Sequence, residues 1–244
     1  MRLLIDAGNT RLKWRLEHDL TVISQGRGSM SSDHPLSDID QYLGTVSRVA
    51  VSTVAREDLR MALDAYLQER VPGEVRFYWA EKERLGLRNS YSNVSAMGAD
   101  RWHGMYGAWK KRGRGCAVID AGSAITIDYV SDSGNHLGGY ILPGLAMMFK
   151  SLKTDAARIA FEPNHAVALE PGQSTGECVN HGMSWVSLAI AQQLHRDVEQ
   201  LGLSDILVTG GDASRLQAVG LNASEHPSLV LDGLGFIDHE VFSA

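Results

Sequence analysis

Cysteine is nearly absent. Cys116 and Cys178 are the only two in 244 residues, too few for a disulfide framework, and with Cys116 inside an apolar run a reduced, cytoplasmic protein is expected. Long apolar runs are missing as well. The longest nearly apolar piece, Tyr140 to Phe149, is interrupted by Pro143 and Gly144 and falls far short of the ~20 residues a membrane-spanning helix needs. No signal peptide is expected, because the apolar run after Arg2 meets Asp6 after three residues. Positive charge is in deficit, 23 basic against 29 acidic residues for a net charge of −6, which argues against a broad nucleic-acid surface. Several catalytic signatures are also lacking: Gly-x-x-x-x-Gly-Lys-[Ser/Thr], Gly-x-Gly-x-x-Gly after a strand, His-Glu-x-x-His, Cys-x-x-Cys and Gly-x-Ser-x-Gly. Walker-type NTPases, dinucleotide oxidoreductases, zinc proteases and α/β-hydrolases therefore lose ground. The nine histidines show no ligand spacing, and His103, off the aromatic stripe of its helix, reads as a surface or cleft residue.

What is present is a motif used twice. Asp6-Ala7-Gly8-Asn9-Thr10 returns as Asp120-Ala121-Gly122-Ser123-Ala124, each preceded by a short apolar run and followed by an apolar-alternating one. Each copy reads as a β-hairpin whose tight turn carries a carboxylate and a hydroxyl. Glycine there lets backbone N–H groups approach a phosphate, Asn9, Thr10 and Ser123 can donate to it, and an Asp at the strand end can hold a metal ion or its water shell. Either turn alone would be read as simple hairpin closure; the duplication points to matching loops that clasp a polyphosphate.

Along the chain, strands are expected at 21–26, 48–52 and 75–79, with a short helix after Ser31 to Asp40 and another from Arg56 to Arg70, where Leu59, Leu63 and Leu67 recur every four positions. This order implies a mixed sheet covered by helices. Glu81 to Ala99, rich in Ser, Asn and Gly, reads as a loop leading to a site. The helix from Gly98 to Arg112 carries an aromatic stripe, Trp102, Met105, Tyr106 and Trp109, read as core, and its basic end, Lys110 to Arg114, suits the helix dipole. The second half starts with the repeated hairpin and continues with a strand at 136–142, a turn at Pro143-Gly144 and a helix from Leu145 to Lys153. Ser174 to Glu177 forms a capping box opening a long helix that Gly202 stops. Asp205 to Asp212 is a strand running into a Gly-Gly turn, a third candidate ligand loop.

Read together, Asp6 to Thr10, Asp120 to Thr126, Thr209 to Asp212, and Tyr91 with Gly98-Ala99-Asp100-Arg101 resemble the type III pantothenate kinase family of the actin-like ATPase superfamily, over essentially the whole chain. The resemblance implies an α/β, duplicated actin-like (ribonuclease H-like) fold: two mixed sheets with flanking helices around a central nucleotide cleft, with domains over 1–114 and 115–244. It implies ATP-dependent phosphorylation of pantothenate, the first step towards coenzyme A. Asp6, Ala7, Gly8, Asn9, Thr10, Arg11, Leu12 and Lys13 would bind ATP together with Ser123. Tyr91, Gly98, Ala99, Asp100 and Arg101 would line the pantothenate pocket, with Thr175 reaching substrate at a homodimer interface. Asp120 would sit at a monovalent cation, K⁺ or NH₄⁺, and ATP would carry Mg²⁺. Pantothenate and ATP are the partners implied, without nucleic acid or membrane. Three positions depart from the family pattern: Ser123 where Thr is frequent, Arg15 where glycine is frequent, and Val94 where proline is frequent. Ser keeps the hydroxyl that matters.

The residues support this chemistry on their own. Phosphoryl transfer needs positioning, charge neutralisation and a carboxylate that accepts the nucleophile's proton. Asp100, at the first turn of a helix and off its aromatic stripe, can supply that carboxylate, although an isolated Asp there would first be read as a response to the helix dipole. Arg101 beside it suits a substrate carboxylate. Two alternatives stay open: an actin-like-fold kinase or phosphatase for another small substrate, and an ATP-binding regulator without metabolic turnover.

Overall fold

The computed structural model describes residues 1–156 and 159–243. The chain divides into two compact units, Met1–Leu85, Tyr91–Lys111 and Ser228–Ala244 forming one, Gly86–Ser90 and Arg112–Pro227 the other.

The first unit opens with β1 (Arg2–Ala7), β2 (Arg11–His18) and β3 (Thr21–Ser29), followed by a short α1 (Asp40–Leu43), β4 (Arg48–Thr53), α2 (Glu57–Arg70) and β5 (Glu74–Tyr78). The strands lie in the order β3-β2-β1-β4-β5, with β1 antiparallel to β2 and parallel to β4. Alternation decides the faces. Leu3, Ile5 and Ala7 of β1 enter one apolar core with Val49 and Val51 of β4 and Leu63 and Leu67 of α2, so Leu4 and Asp6 point to the other face.

Glu81 to Ala99 is more structured than its polarity suggests. Glu83–Arg84 (β6) and Leu87–Arg88 (β7) pair, and the two residues between them, Leu85 and Gly86, have φ of 40° and 91°, as a two-residue hairpin turn requires. Strands this short carry no readable alternation. Beyond them, α3 (Ala99–Arg112) begins where the glycine before it indicates.

The second unit repeats the plan. β8 (Cys116–Ala121), β9 (Ala124–Val130) and β10 (His136–Pro143) form its meander, then α4 (Leu145–Asp155), α5 (Thr175–Gln200), β11 (Asp205–Thr209), α6 (Ala213–Ala218) and β12 (Ser224–Glu225) follow. The order β10-β9-β8-β11-β12 is the same pattern of mixed pairing. The stop after α5 is as expected: Gly202 has φ +65°, and the N–H groups of Gly202 and Leu203 donate to the carbonyls of Glu199 and Val198, the paired bonds of a Schellman ending. The capping box is modified. Ser174 Oγ accepts from Glu177 N–H at 3.2 Å, but the Glu177 carboxylate accepts from the N–H of Gln173, not Ser174. Among the described residues no helix is long and apolar enough to cross a membrane.

The last helix, α7 (Leu229–Ser243), has no counterpart in the sequence reading, and glycines at 233 and 235 hide it. It groups with the first unit, so the division at 114/115 differs from the observed grouping at residues 86–90 and 228–244. The reason is ionic. Asp238, 0% exposed, accepts from Arg2 at 3.1 Å, Arg48 at 2.9 Å and the Tyr78 hydroxyl at 2.9 Å, and Asp232 pairs with Arg15 and Lys111. Arg15 also meets Glu17 at 2.8 Å; this arginine therefore belongs to the packing of α7. Removing the carboxylate leaves the half-buried Arg48 guanidinium and the Tyr78 hydroxyl without it, while Arg2 keeps its pair with Glu17, so Asp238→Ala is expected to cost up to about 3 kcal/mol, read as a lower urea midpoint.

Candidate active site

In the first unit the β1–β2 turn is held on three sides. Gly8 N–H donates to Arg11 O and Met30 N–H to Thr10 O, both at 3.0 Å. The Asn9 side chain spans to the end of β4, its Oδ1 accepting from Arg56 N–H at 2.9 Å and its Nδ2 reaching Val54 O at 3.4 Å. Asn9 therefore fastens the turn to the entry of α2. At the end of β1, Asp6 stands in register with Lys13 on β2 and Ser52 on β4, so a carboxylate, an ammonium and a hydroxyl share one face.

The start of α3 lies beside this strand end. A Cβ built on Gly98 would fall 3.4 Å from Val54 Cγ1 and 2.6 Å from Asp100 Oδ1; the absent side chain leaves room for the carboxylate to turn back over the helix end, where Oδ1 accepts from Arg101 N–H at 2.7 Å. Arg101 is 7% exposed. Its Nη1 donates to the Tyr91 hydroxyl at 2.7 Å and its guanidinium stands 5.6 Å from the centre of the same ring. Tyr91, Gly98, Ala99, Asp100 and Arg101 are thus brought together, and the Val54 contact sets them next to the Asp6–Thr10 turn.

His103 departs from expectation. It is fully buried, with Nδ1 2.7 Å from Ser52 Oγ, because α3 is buried at every position from Arg101 to Ala108 and a helix enclosed on all sides has no wet face off its aromatic stripe. Burial, helped by the positive charge of Arg84, lowers its pKa to about 3.

In the second unit three turns meet at the ends of β8 and β11. Gly122 N–H donates to Ala124 O at 3.0 Å, Gly144 N–H to Ser123 O at 3.1 Å and Asp212 N–H to Ala121 O at 2.9 Å. Gly210 has φ +98°, and a Cβ on it would lie 2.5 Å from Asp120 Oδ1, so only glycine lets the β11–α6 turn pass the carboxylate. Asp120 is in register with Thr209, whose buried hydroxyl has no hydrogen-bond partner among the described residues. Burial raises the Asp212 carboxyl pKa, opposed by His165 and Arg215. The third candidate loop therefore joins the second copy of the motif. Gly144, in neither copy, was missed as part of it; its signal was the Pro-Gly pair. Thr175, by contrast, lies at the opening of α5 in a groove of about 840 Å³ lined by Leu152, Cys178, Met183 and Trp185.

Comparison with known proteins gives the family. Residues 2–197 match the family model described as type III pantothenate kinase. A type III pantothenate kinase of Marinobacter nauticus is 53% identical over 234 residues, covering 96% of each chain. The chain belongs to the type III pantothenate kinase family.

Solved structures give the fold. A protein described as a Baf family transcriptional activator from Campylobacter jejuni superposes with a TM-score of 0.62 at 24% identity, over 99% of this chain and 100% of its own. One described as a 2-dehydro-3-deoxygalactonokinase from Sinorhizobium meliloti gives 0.61 at 13%, over the whole of both chains. The fold of this pantothenate kinase family member is the duplicated actin-like one, two mixed sheets with flanking helices.

The buried histidine has a consequence for stability. Between its ordinary pKa of 6.5 and about 3, the unfolded chain takes up a proton that the native chain refuses, so stability falls as pH falls through that window, by about 1.4 kcal/mol per unit when fully developed. His103→Phe should flatten this slope in urea unfolding measured from pH 7 to pH 4; an unchanged slope would place the proton uptake elsewhere.

Proposed function

We propose that the protein transfers the γ-phosphoryl group of ATP to the primary hydroxyl of pantothenate, giving 4′-phosphopantothenate in the first step of coenzyme A synthesis, with Asp100 as general base. Family membership gives the activity; the observation that supports the role of Asp100 is the Gly98–Arg101 turn, where a missing Cβ lets the carboxylate fold beside the end of β4. In this reading Asp100 takes the hydroxyl proton as the hydroxyl oxygen bonds to the γ-phosphorus and the bond to the β–γ bridging oxygen breaks, releasing ADP. Arg101, oriented by Tyr91, holds the substrate carboxylate. Residues 6 to 13 and Ser123 receive the phosphates through backbone N–H groups and hydroxyls, with Asn9 shaping its turn rather than reaching out. The cytoplasm, where ATP is available, is the compartment proposed.

The residues present fit the cations that the family implies. Among the described residues no three His, Cys, Asp or Glu side chains cluster as a metal cage, and Mg²⁺ commonly binds through one or two carboxylates together with phosphates and water; Asp6 and Asp120 are each, in their own unit, a strand-end carboxylate of that kind. The Asp120 carboxylate beside the unpartnered Thr209 hydroxyl is an all-oxygen donor set suited to a hard monovalent cation. When bound, these ions neutralise phosphate charge.

A homodimer is proposed through the second unit, supported by the exposed Trp185 (63%) and Ile141 (62%) and by the apolar groove that holds Thr175. Large exposed apolar side chains of this kind mark interaction surfaces.

Each part has its measurement. In a coupled assay ATP should be consumed only when pantothenate is present. Asp100→Asn should lower kcat by ~10²–10⁴ with little change in pantothenate affinity by calorimetry, while Arg101→Ala should act mainly on KM; near-normal kcat in a folded Asp100→Asn protein would remove the base assignment. Exchanging K⁺ for Na⁺ should depress turnover, and Asp120→Ala should abolish the difference, whereas equal rates in all salts would exclude the cation site. Sedimentation should show a dimer that Trp185→Glu dissociates; a monomeric parent protein would refute the interface.

A further inference from the structure

Behind Asp100 lies a buried polar pair that the chemistry above leaves unused. His103 and Ser52 are both 0% exposed, 2.7 Å apart between Nδ1 and Oγ, and the neighbours of His103 along α3, namely Trp102, Met105 and Tyr106, are fully buried too. Apolar contacts of this kind are strong but without direction. They hold a helix against its support while leaving its position along its axis loosely specified. A hydrogen bond in the same surroundings has both direction and a high penalty for being broken.

The proton on the ring can be placed. Nε2 of His103 is buried without a hydrogen-bond partner among the described residues. A buried N–H without an acceptor is rarer than an acceptor left unused, so the proton belongs on Nδ1 and Ser52 Oγ accepts it. The low pKa that burial imposes keeps the ring neutral at any ordinary pH, and the bond is therefore constant during turnover.

Both ends of this bond are next to proposed machinery. His103 follows Asp100 by three positions, which places the two on one side of the helix. Ser52 is the β4 residue in register with Asp6. At the far end of the same helix, Gly107 and Gly233 allow close backbone approach to α7, a Cβ on Gly107 falling 2.6 Å from Leu229 O. That contact sets how closely the helix packs, and the hydrogen bond sets where its first turn stands.

We propose that Ser52 and His103 are positioning residues for phosphoryl transfer: their hydrogen bond fixes the first turn of α3 to the strand beside Asp6 and so holds the Asp100 carboxylate in reach of the substrate hydroxyl. This rests on the reading of Asp100 as the base. Misplacing a reacting group by about 1 Å can cost ~10²-fold in rate, which is the scale on which such a bond acts.

The test uses Ser52→Ala, His103→Phe, which keeps an apolar ring but no bond, the double variant, and His103→Asn, whose side-chain amide stands near the position of Nδ1. Ser52→Ala and His103→Phe should each lower kcat by ~10–100-fold with both KM values within about twofold of the parent, and the double variant should lose no more than the worse single. His103→Asn should recover most of the loss. Hydrogen exchange over residues 99–103 should quicken in both single variants, with the rest of the first unit protected. A kcat in folded Ser52→Ala within about twofold of the parent, or multiplicative losses in the double variant, would overturn the proposal. If the parent protein shows no pantothenate-dependent turnover, the kinase reading itself fails; unchanged exchange over residues 99–103 in Ser52→Ala would then overturn the positioning role independently.

Discussion

The first unit depends on one buried carboxylate. Asp238 gathers Arg2 from β1, Arg48 from β4 and Tyr78 from β5, so a single residue of the final helix ties three strands of the sheet. An ion cluster of this kind is not a large net source of stability, since taking charges out of water offsets much of their attraction. Its value is specificity: the guanidinium of Arg48 is directed to Asp238 and that of Arg2 is shared between Asp238 and Glu17, which gives α7 one seat on the sheet. A purely apolar seam would have left that seat less defined.

From there the constraint passes to the chemistry through close backbone packing. Gly107 and Gly233 let α3 and α7 approach to a distance that any side chain would prevent, and α3 carries Asp100 and Arg101 at its first turn. The order is sheet, carboxylate, last helix, glycine contact, site helix. The second unit reaches a comparable result by another route, using Gly144 and Gly210 to bring two further turns against the end of β8. In both units the proposed ligand groups stand at strand ends, where the pleat stops and backbone N–H groups are no longer consumed by the ladder.

Much of this was legible in the residues. The duplicated Asp-Ala-Gly turn, the alternation of the flanking strands and the Gly98–Arg101 run could be read because each is local: a carboxylate at a strand end, a glycine where a Cβ would clash and a capping serine act within a few positions of themselves. The short strands at 83–84 and 87–88 were not legible, being too brief to show a period. His103 was misread because a helical stripe reports the most apolar face of a helix and is silent on how many faces are buried. The hydroxyl of Ser52, one residue among many serines, acquires meaning only from its register with Asp6.

The sequence by itself determined the two hairpin motifs and the mixed order of strands and helices, because periodicity and turn chemistry are properties of neighbouring residues. Only the tertiary structure decided that the last helix belongs with the first sheet, that Arg15 serves that helix, that Asn9 is a fastener, and that a buried histidine stands behind Asp100. Each of these depends on partners distant along the chain, Arg15 with Asp232 and His103 with Ser52 among them. Such pairs form because the fold removes both groups from water together, and nothing in the local pattern of either residue records which partner it will meet.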